Sequence, residues 1–315
     1  LPLTYNRQPF HTITRNVQPA TGNRHPPSRL PLLALLGGAT AIAFAPIFVR
    51  VSEVGPLATA FWRLLLAWPA LWLWTALEKH HRPGRRQPSG FADILRLAAA
   101  GFFFAGDLSL WHWSLRLTPV ANSTLLVNYA PIWVTFGSWW LFRERIEKIF
   151  LAGLVLALLG ASLLVSASFQ IRLEQVGGDF LALAASFFYA GYLLSITRLR
   201  RDFSTAAIMT WSTAGCTAIL FLVTLLSGER LFAASASGWL VLLGLAWLSH
   251  IGGQGLITYA LAHLPASFSS VTLLLQPVLA ALFAWVLLHE GLGPWQVLGG
   301  LLVLMGIFLA RRSAR

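Results

Sequence analysis

The sequence predicts an all-α integral membrane protein with ten transmembrane helices, arranged as two inverted five-helix repeats. Three observations predict this. Hydrophobic residues make up 57% of the chain and charged residues only 11%, against about a quarter charged in a soluble domain. The apolar runs approach ~20 residues, the length that crosses a hydrocarbon core of ~30 Å. Finally, the stretch from Pro119 recurs from Pro265 at a constant offset of 146 residues, without a gap. Pro119, Ser123, Pro131, Trp139, Glu144, Gly153 and Gly160 fall on Pro265, Ser269, Pro277, Trp285, Glu290, Gly299 and Gly306. Matched Pro, Glu and Gly at one offset indicate duplication. A β-barrel is excluded, since its strands alternate polar and apolar residues over about ten positions.

Residues 1–29 are polar, rich in Pro, Asn and Arg, and without periodicity, which reads as a disordered cytoplasmic tail. The first five-helix repeat is assigned to 30–167 and the second to 178–311. The first span covers about Leu30 to Val49. A signal-peptide reading also fits Arg24 and Arg29 ahead of an apolar run, with Ala43-Phe44-Ala45 as the cleavage site. Cleavage there would remove one helix and leave the halves unequal. Further spans are expected near 56–77, 93–116, 119–141, 147–167, 178–197, 204–226, 238–262, 265–288 and 294–310. Pro131 and Pro277 are placed to kink the fourth and ninth helices at equivalent points.

Basic residues crowd alternate loops. One side carries Arg7, Arg15, Arg24, Arg29, Lys79, Arg82, Arg85, Arg86, Arg143, Arg145, Lys148, Arg198, Arg200, Arg201, Arg311, Arg312 and Arg315; the other has Arg50, Arg116, Arg172 and Arg230. The positive-inside rule puts both termini in the cytoplasm. Topogenic Lys and Arg account for the net charge of +12 without nucleic-acid binding. Five helices per half invert the second repeat relative to the first, a recurring plan of secondary transporters. Cys216, the only cysteine, excludes an intrachain disulfide and a cysteine-based metal site.

The doubled array Pro119, Pro131, Glu144, Gly153, Gly160 and Pro265, Pro277, Glu290, Gly299, Gly306 resembles the EamA-like members of the drug/metabolite transporter superfamily. The ATAFWRLLLA stretch around Arg63 resembles the family's first repeat. The likeness runs from about residue 30 to 311. It implies a ten-helix fold of two inverted repeats and export or exchange of small metabolites, amino acids among them. At the position of Arg63 the second repeat departs, with Ser212 about 149 residues on.

A charge at membrane depth costs at least ~2.5 kcal/mol on insertion scales, so each needs a reason. Arg63 lies about seven residues, roughly 10 Å, inside the outer end of its helix. Asp107 lies about ten residues, roughly 15 Å, inside the next. Either the two form a structural ion pair, or Arg63 meets an anionic group of a substrate and Asp107 a cationic group or a proton. Trp111 and Ser114 share the face of Asp107. His250, Gln254 and Thr258 repeat that spacing on the eighth helix. A histidine near mid-span is suited to carry a proton, or to sit neutral on a carbonyl. Asn128, Tyr129 and Gln276 flank the prolines and either partner freed carbonyls or line a cavity. Tyr189, Tyr192 and Trp211 are aromatic wall candidates. Trp72, Trp74, Trp139, Trp140, Trp239 and Trp295 fall near span ends, as an interfacial belt does. Glu144 and Glu290 are expected to cap the helices that follow them. The four repeated glycines are expected to pack helices closely.

There is no GxxxxGK[ST] loop, G-x-S-x-G elbow or HExxH motif. The expected function is a non-enzymatic secondary transporter, an exporter of small metabolites such as amino acids, in the inner or plasma membrane. Its expected partners are a small-molecule substrate, the lipid bilayer and protons as a coupling ion, with no nucleic acid, metal or cofactor. A non-transporting scaffold and an intramembrane lipid-modifying enzyme are the alternatives; the latter has only His80 and His81 beside Glu78 for its chemistry.

Overall fold

The structure is a computed structural model that describes residues 29–81, 86–165, 173–289 and 291–313. The expected tail, Arg82, Arg85, Arg172, Arg315 and Glu290 with its expected cap lie outside them. The described residues form α-helices with one 3₁₀ turn and one π-helical stretch, and no strand. The helices are α1 (Leu30–Ala43), α2 (Ala45–Arg50), α3 (Pro56–His81), α4 (Phe91–Leu117), α5 (Val120–Val127), α6 (Ala130–Phe142) and α7 (Lys148–Val165). After them come α8 (Val176–Leu199), α9 (Thr205–Ser227), α10 (Ala236–Gly244), a π-helical stretch (Leu245–Gln254), α11 (Gly255–Ala260), α12 (Ala266–Leu273), α13 (Leu275–Leu288) and α14 (Pro294–Ser313).

Among the described residues, nine helical segments are long and apolar enough to cross a membrane, and the protein is an integral membrane protein. In that set α1–α2 counts as one crossing, as do α10–α11 and α12–α13. The pair α5–α6 covers the remaining expected span, in pieces of 8 and 13 residues.

Helix breaks follow the prolines. Pro131 has no N–H for the carbonyl a turn earlier, so α5 stops at Val127 and α6 restarts at Ala130. Pro277 does the same between α12 and α13, where Leu274 is the junction. Leu274 stands 146 residues after Asn128, so the same device recurs at the same place. The chain ends agree as well: Arg143 closes α6 at φ 56° and His289 closes α13 at φ 55°. Both are left-handed non-glycine positions, which are uncommon. A third break, at Phe44 before Pro46, separates α1 from α2.

Lipid tails are as apolar as leucine, so close backbone contact replaces hydrophobic drive between membrane helices. The α7–α14 pair uses the repeated glycines. A Cβ on Gly153 would lie 2.6 Å from the carbonyl oxygen of Gly306, and one on Gly160 would lie 2.6 Å from that of Gly299. The contact is reciprocal, since a Cβ on Gly299 would lie 2.6 Å from the oxygen of Gly160. Gly153 meets the later glycine and Gly160 the earlier one, so α7 and α14 run antiparallel. The central packing layer joins Leu64 of α3, Leu97 and Phe104 of α4, Leu193 and Ile196 of α8, and Ile208 and Cys216 of α9.

Carboxylates tie the loops at each end. At one end Glu229 accepts from the backbone N–H of Ala58 (3.0 Å) and pairs with Arg116, while Glu53 accepts from the N–H groups of Ala234 (2.8 Å) and Ser235 (3.0 Å). At the other end Ser204 donates to Glu78, and Glu144 accepts from the N–H of Ala266 (3.2 Å) and the hydroxyl of Ser267 (2.6 Å). This corrects the sequence expectation for Glu144. The chain reverses at the left-handed Arg143, and Glu144 caps α12, far along the chain, rather than the helix that follows it.

Candidate functional site

A cavity of about 180 Å³ lies where the three helix breaks meet. Ala43, Ala45 and Pro46 reach it from the first break, Val127, Asn128 and Pro131 from the second, and Leu273, Leu274, Gln276 and Pro277 from the third. Irregular backbone is tolerated at membrane depth only where it is buried in protein or lines a cavity. Asn128 closes α5: its backbone N–H (3.2 Å) and its side-chain N–H (2.9 Å) both donate to the Thr124 carbonyl. Thr135 similarly donates to the carbonyl of Pro131 (2.7 Å).

Helices α3, α4, α5, α8 and α12 and the π-helical stretch supply the remaining polar wall. Arg63 and Asp107 both line the cavity, at 8% and 7% exposure. They form no salt bridge; among the described residues the bridges are Arg86–Asp93 and Arg116–Glu229. The structural ion pair is therefore not made. Arg63 Nε and Trp111 Nε1 are buried lining donors without a hydrogen-bond partner in the protein, while the Gln276 and Gln254 amides face the Tyr189 and Tyr192 side chains. A buried N–H without a partner costs about 1–3 kcal/mol. Both N–H groups are open to an acceptor oxygen in the cavity. Asp107 is the one carboxylate on the wall. Ile42, Phe104, Leu108, Leu193 and Ala280 complete it with apolar surface.

The structure thus brings Arg63, Asp107, Trp111, Asn128, Tyr189, Gln254 and Gln276 to one cavity. Tyr192, His250, Tyr129 and Trp211 do not line it. Tyr192 lies just behind, stacked on Phe104 at 4.5 Å between ring centroids. His250 is also behind Phe104, at 5.8 Å, with Nε2 2.8 Å from the Thr213 hydroxyl. It sits in the π-helical stretch, where a wheel drawn at 3.6 residues per turn no longer applies. Tyr129 falls in the α5–α6 break, and half-buried Trp211 packs on the central layer of α9. Ser114 leaves the cavity face to bond Ser123 (2.5 Å). The α1–α2 wall was not foreseen, since it offers no polar side chain; Pro46 was its only sequence signal.

A bundle of apolar helices, broken by prolines around a partly polar cavity, defines a polytopic membrane protein. The sequence pattern of the EamA-like transporter family matches residues 29–166 and 176–312, and the chain belongs to that family. An uncharacterised transporter of Archaeoglobus fulgidus is 25% identical over 285 residues, covering 88% of this chain and 95% of its own length. A protein of Salmonella typhimurium named as a probable amino-acid metabolite efflux pump is 30% identical over 227 residues, with 67% and 76% covered. A solved structure superposes with a TM-score of 0.74 at 19% identity, covering 90% of this chain and 97% of its own, which supports the fold.

Proposed function

We propose that the protein is a secondary transporter that exports small metabolites of amino-acid type by alternating access. The observation that carries this reading is the buried, unpaired Arg63 and Asp107 in one cavity at the helix breaks. A zwitterion answers both charges: its carboxylate meets Arg63 and the free Trp111 indole N–H, and its ammonium meets Asp107. The apolar wall then takes the side chain. A volume of about 180 Å³ lies below the ~300 Å³ at which drug-sized pockets begin. The efflux pump among the relatives favours the same class. A scaffold that moves nothing would have no use for a buried unpaired cation, and the wall lacks the clustered acids and histidines an intramembrane enzyme needs.

In this reading α5–α6 is a tenth crossing and the chain is two inverted five-helix repeats. The 146-residue recurrence of breaks and left-handed caps supports it, as does the antiparallel α7–α14 contact. Both termini are cytoplasmic and the membrane is the cell's inner or plasma membrane.

The test is efflux from proteoliposomes loaded in turn with labelled zwitterionic amino acids, monocarboxylates and amines, with and without a pH gradient. Saturable efflux of zwitterions above the other two classes supports the proposal. Efflux of none, from protein that stays folded, contradicts it. Gradient dependence identifies protons as the coupling ion.

A further inference from the structure

A second concave site lies away from the cavity, at the end of α6. It is a groove of about 670 Å³ lined by Trp139, Trp140, Arg143, Glu144, Arg145 and Ile146. Trp139 and Trp140 expose 56% and 69% of their surface at the close of an apolar helix. Indoles so placed sit at headgroup level, with the ring in the acyl boundary and the N–H toward water. Arg143 and Arg145 are exposed beside them, and neither is bridged to a carboxylate among the described residues. Glu144 also lines the groove, and its oxygens accept from Ala266 and Ser267 at the N-terminus of α12, with no bridge to either arginine, so two cations face one carboxylate. Lys148 adds an exposed cation just beyond, and Arg201 lies over the Phe142 ring at 5.4 Å.

Two features separate this groove from ordinary basic loops. Arg143 holds a left-handed backbone where glycine is the usual residue, at a cost of roughly 1–2 kcal/mol. The equivalent His289 shares that backbone, so what distinguishes this turn is the guanidinium that the strained position carries. Moreover, the recurrence breaks down here: Trp139 returns as Trp285, but Trp140, Arg143 and Arg145 return as Val286, His289 and Gly291. The turn after α13 therefore lacks the second tryptophan and both arginines of this groove.

We propose that this groove binds an anionic phospholipid, with the phosphate of its headgroup between Arg143 and Arg145 and its acyl chains along Trp139 and Trp140. Arginine suits this task because its planar fork meets two phosphate oxygens at once. The indole faces supply the apolar track that a free phosphate would not use. The groove is independent of the transport cavity, so this proposal stands or falls apart from the transport reading.

The test is native mass spectrometry of the full chain, delipidated in detergent and titrated with phosphatidylglycerol or phosphatidylcholine. The variants are Arg143→Gln/Arg145→Gln, Arg145→Gln alone, and Lys79→Gln/Arg96→Gln, which removes two charges from the same end outside the groove. Wild type is expected to retain phosphatidylglycerol at collision energies that strip phosphatidylcholine. The groove double variant is expected to lose at least about tenfold in affinity, near 1.4 kcal/mol, and the single variant part of it. The Lys79/Arg96 control is expected to match wild type. Inorganic phosphate is expected not to displace the lipid. Equal retention of both lipids, equal loss in the control, displacement by phosphate, or unchanged binding in a folded groove variant would each overturn the proposal.

Discussion

Arg63 and Asp107 line one cavity, each more than nine-tenths buried, and do not bridge. Most buried charges of opposite sign that share a site pair with each other, because an unpaired charge in a poorly polarisable surround is costly. Keeping the two apart leaves both open to a third group. The partnerless N–H groups of Arg63 Nε and Trp111 on the same wall extend that logic from charge to hydrogen bonding. A site poor in self-contacts gains most from a ligand.

The glycine contacts of α7 and α14 make a stability prediction. At Gly160 a Cβ would lie 2.6 Å from both the oxygen of Gly299 and the nitrogen of Val303, which are backbone atoms that cannot rotate away. Gly160→Leu is expected to lower stability by about 1–3 kcal/mol, the usual range for overpacking. Thermal unfolding in detergent reads this as a lower Tm. An unchanged Tm would mean that the helices separate without penalty.

Glu144 makes a local prediction at the opposite partner. Its two oxygens hold the start of α12, whose residues reach the cavity at Ser270 and Leu273. Glu144→Ala is expected to cost about 1 kcal/mol, as loss of an N-terminal cap does. Hydrogen exchange should accelerate at Ala266 through Ser269, with little change in α7. Faster exchange in α7 instead would restore the cap to the helix that follows Glu144.

Glu53 sets a pH dependence outside the membrane spans. The Ser235 hydroxyl, the N–H groups of Ser235 and Ala234, and nearby Arg230 hold its carboxyl below the ordinary glutamate value. A depressed folded value means the stabilisation is present above the unfolded value and is lost as pH falls through the folded one. Wild type should therefore be more stable than Glu53→Gln at about pH 7, with the gap narrowing as pH falls through the lowered folded value. A gap that persists in acid would show that the contact does not depend on the charge.

Much of this architecture is written in the residues. The Pro131 and Pro277 positions mark both helix breaks, because proline removes a backbone donor wherever it sits. Gly153 and Gly306 foretell the close crossing. The site was harder to read. Asp107 and Trp111, four residues apart, both reach the cavity, as does Gln276 beside Pro277; on the π-helical stretch Gln254 lines it while His250 sits behind Phe104. Ala43 and Ala45 wall the cavity through a break rather than through polar chemistry, so no residue type announces them. Glu144 bonds a helix begun 122 residues later, and such distant partners are set by the assembled bundle.

The most direct measurement is zwitterion efflux by wild type, Arg63→Ala and Asp107→Asn in matched proteoliposomes, each checked for folding. Each variant is expected to lose at least about tenfold in flux, the equivalent of one charge-assisted contact of about 1.4 kcal/mol. Monocarboxylates should depend on Arg63 alone, and amines on Asp107 alone. Full flux of zwitterions in both folded variants would contradict the assignment of this cavity as the transport site.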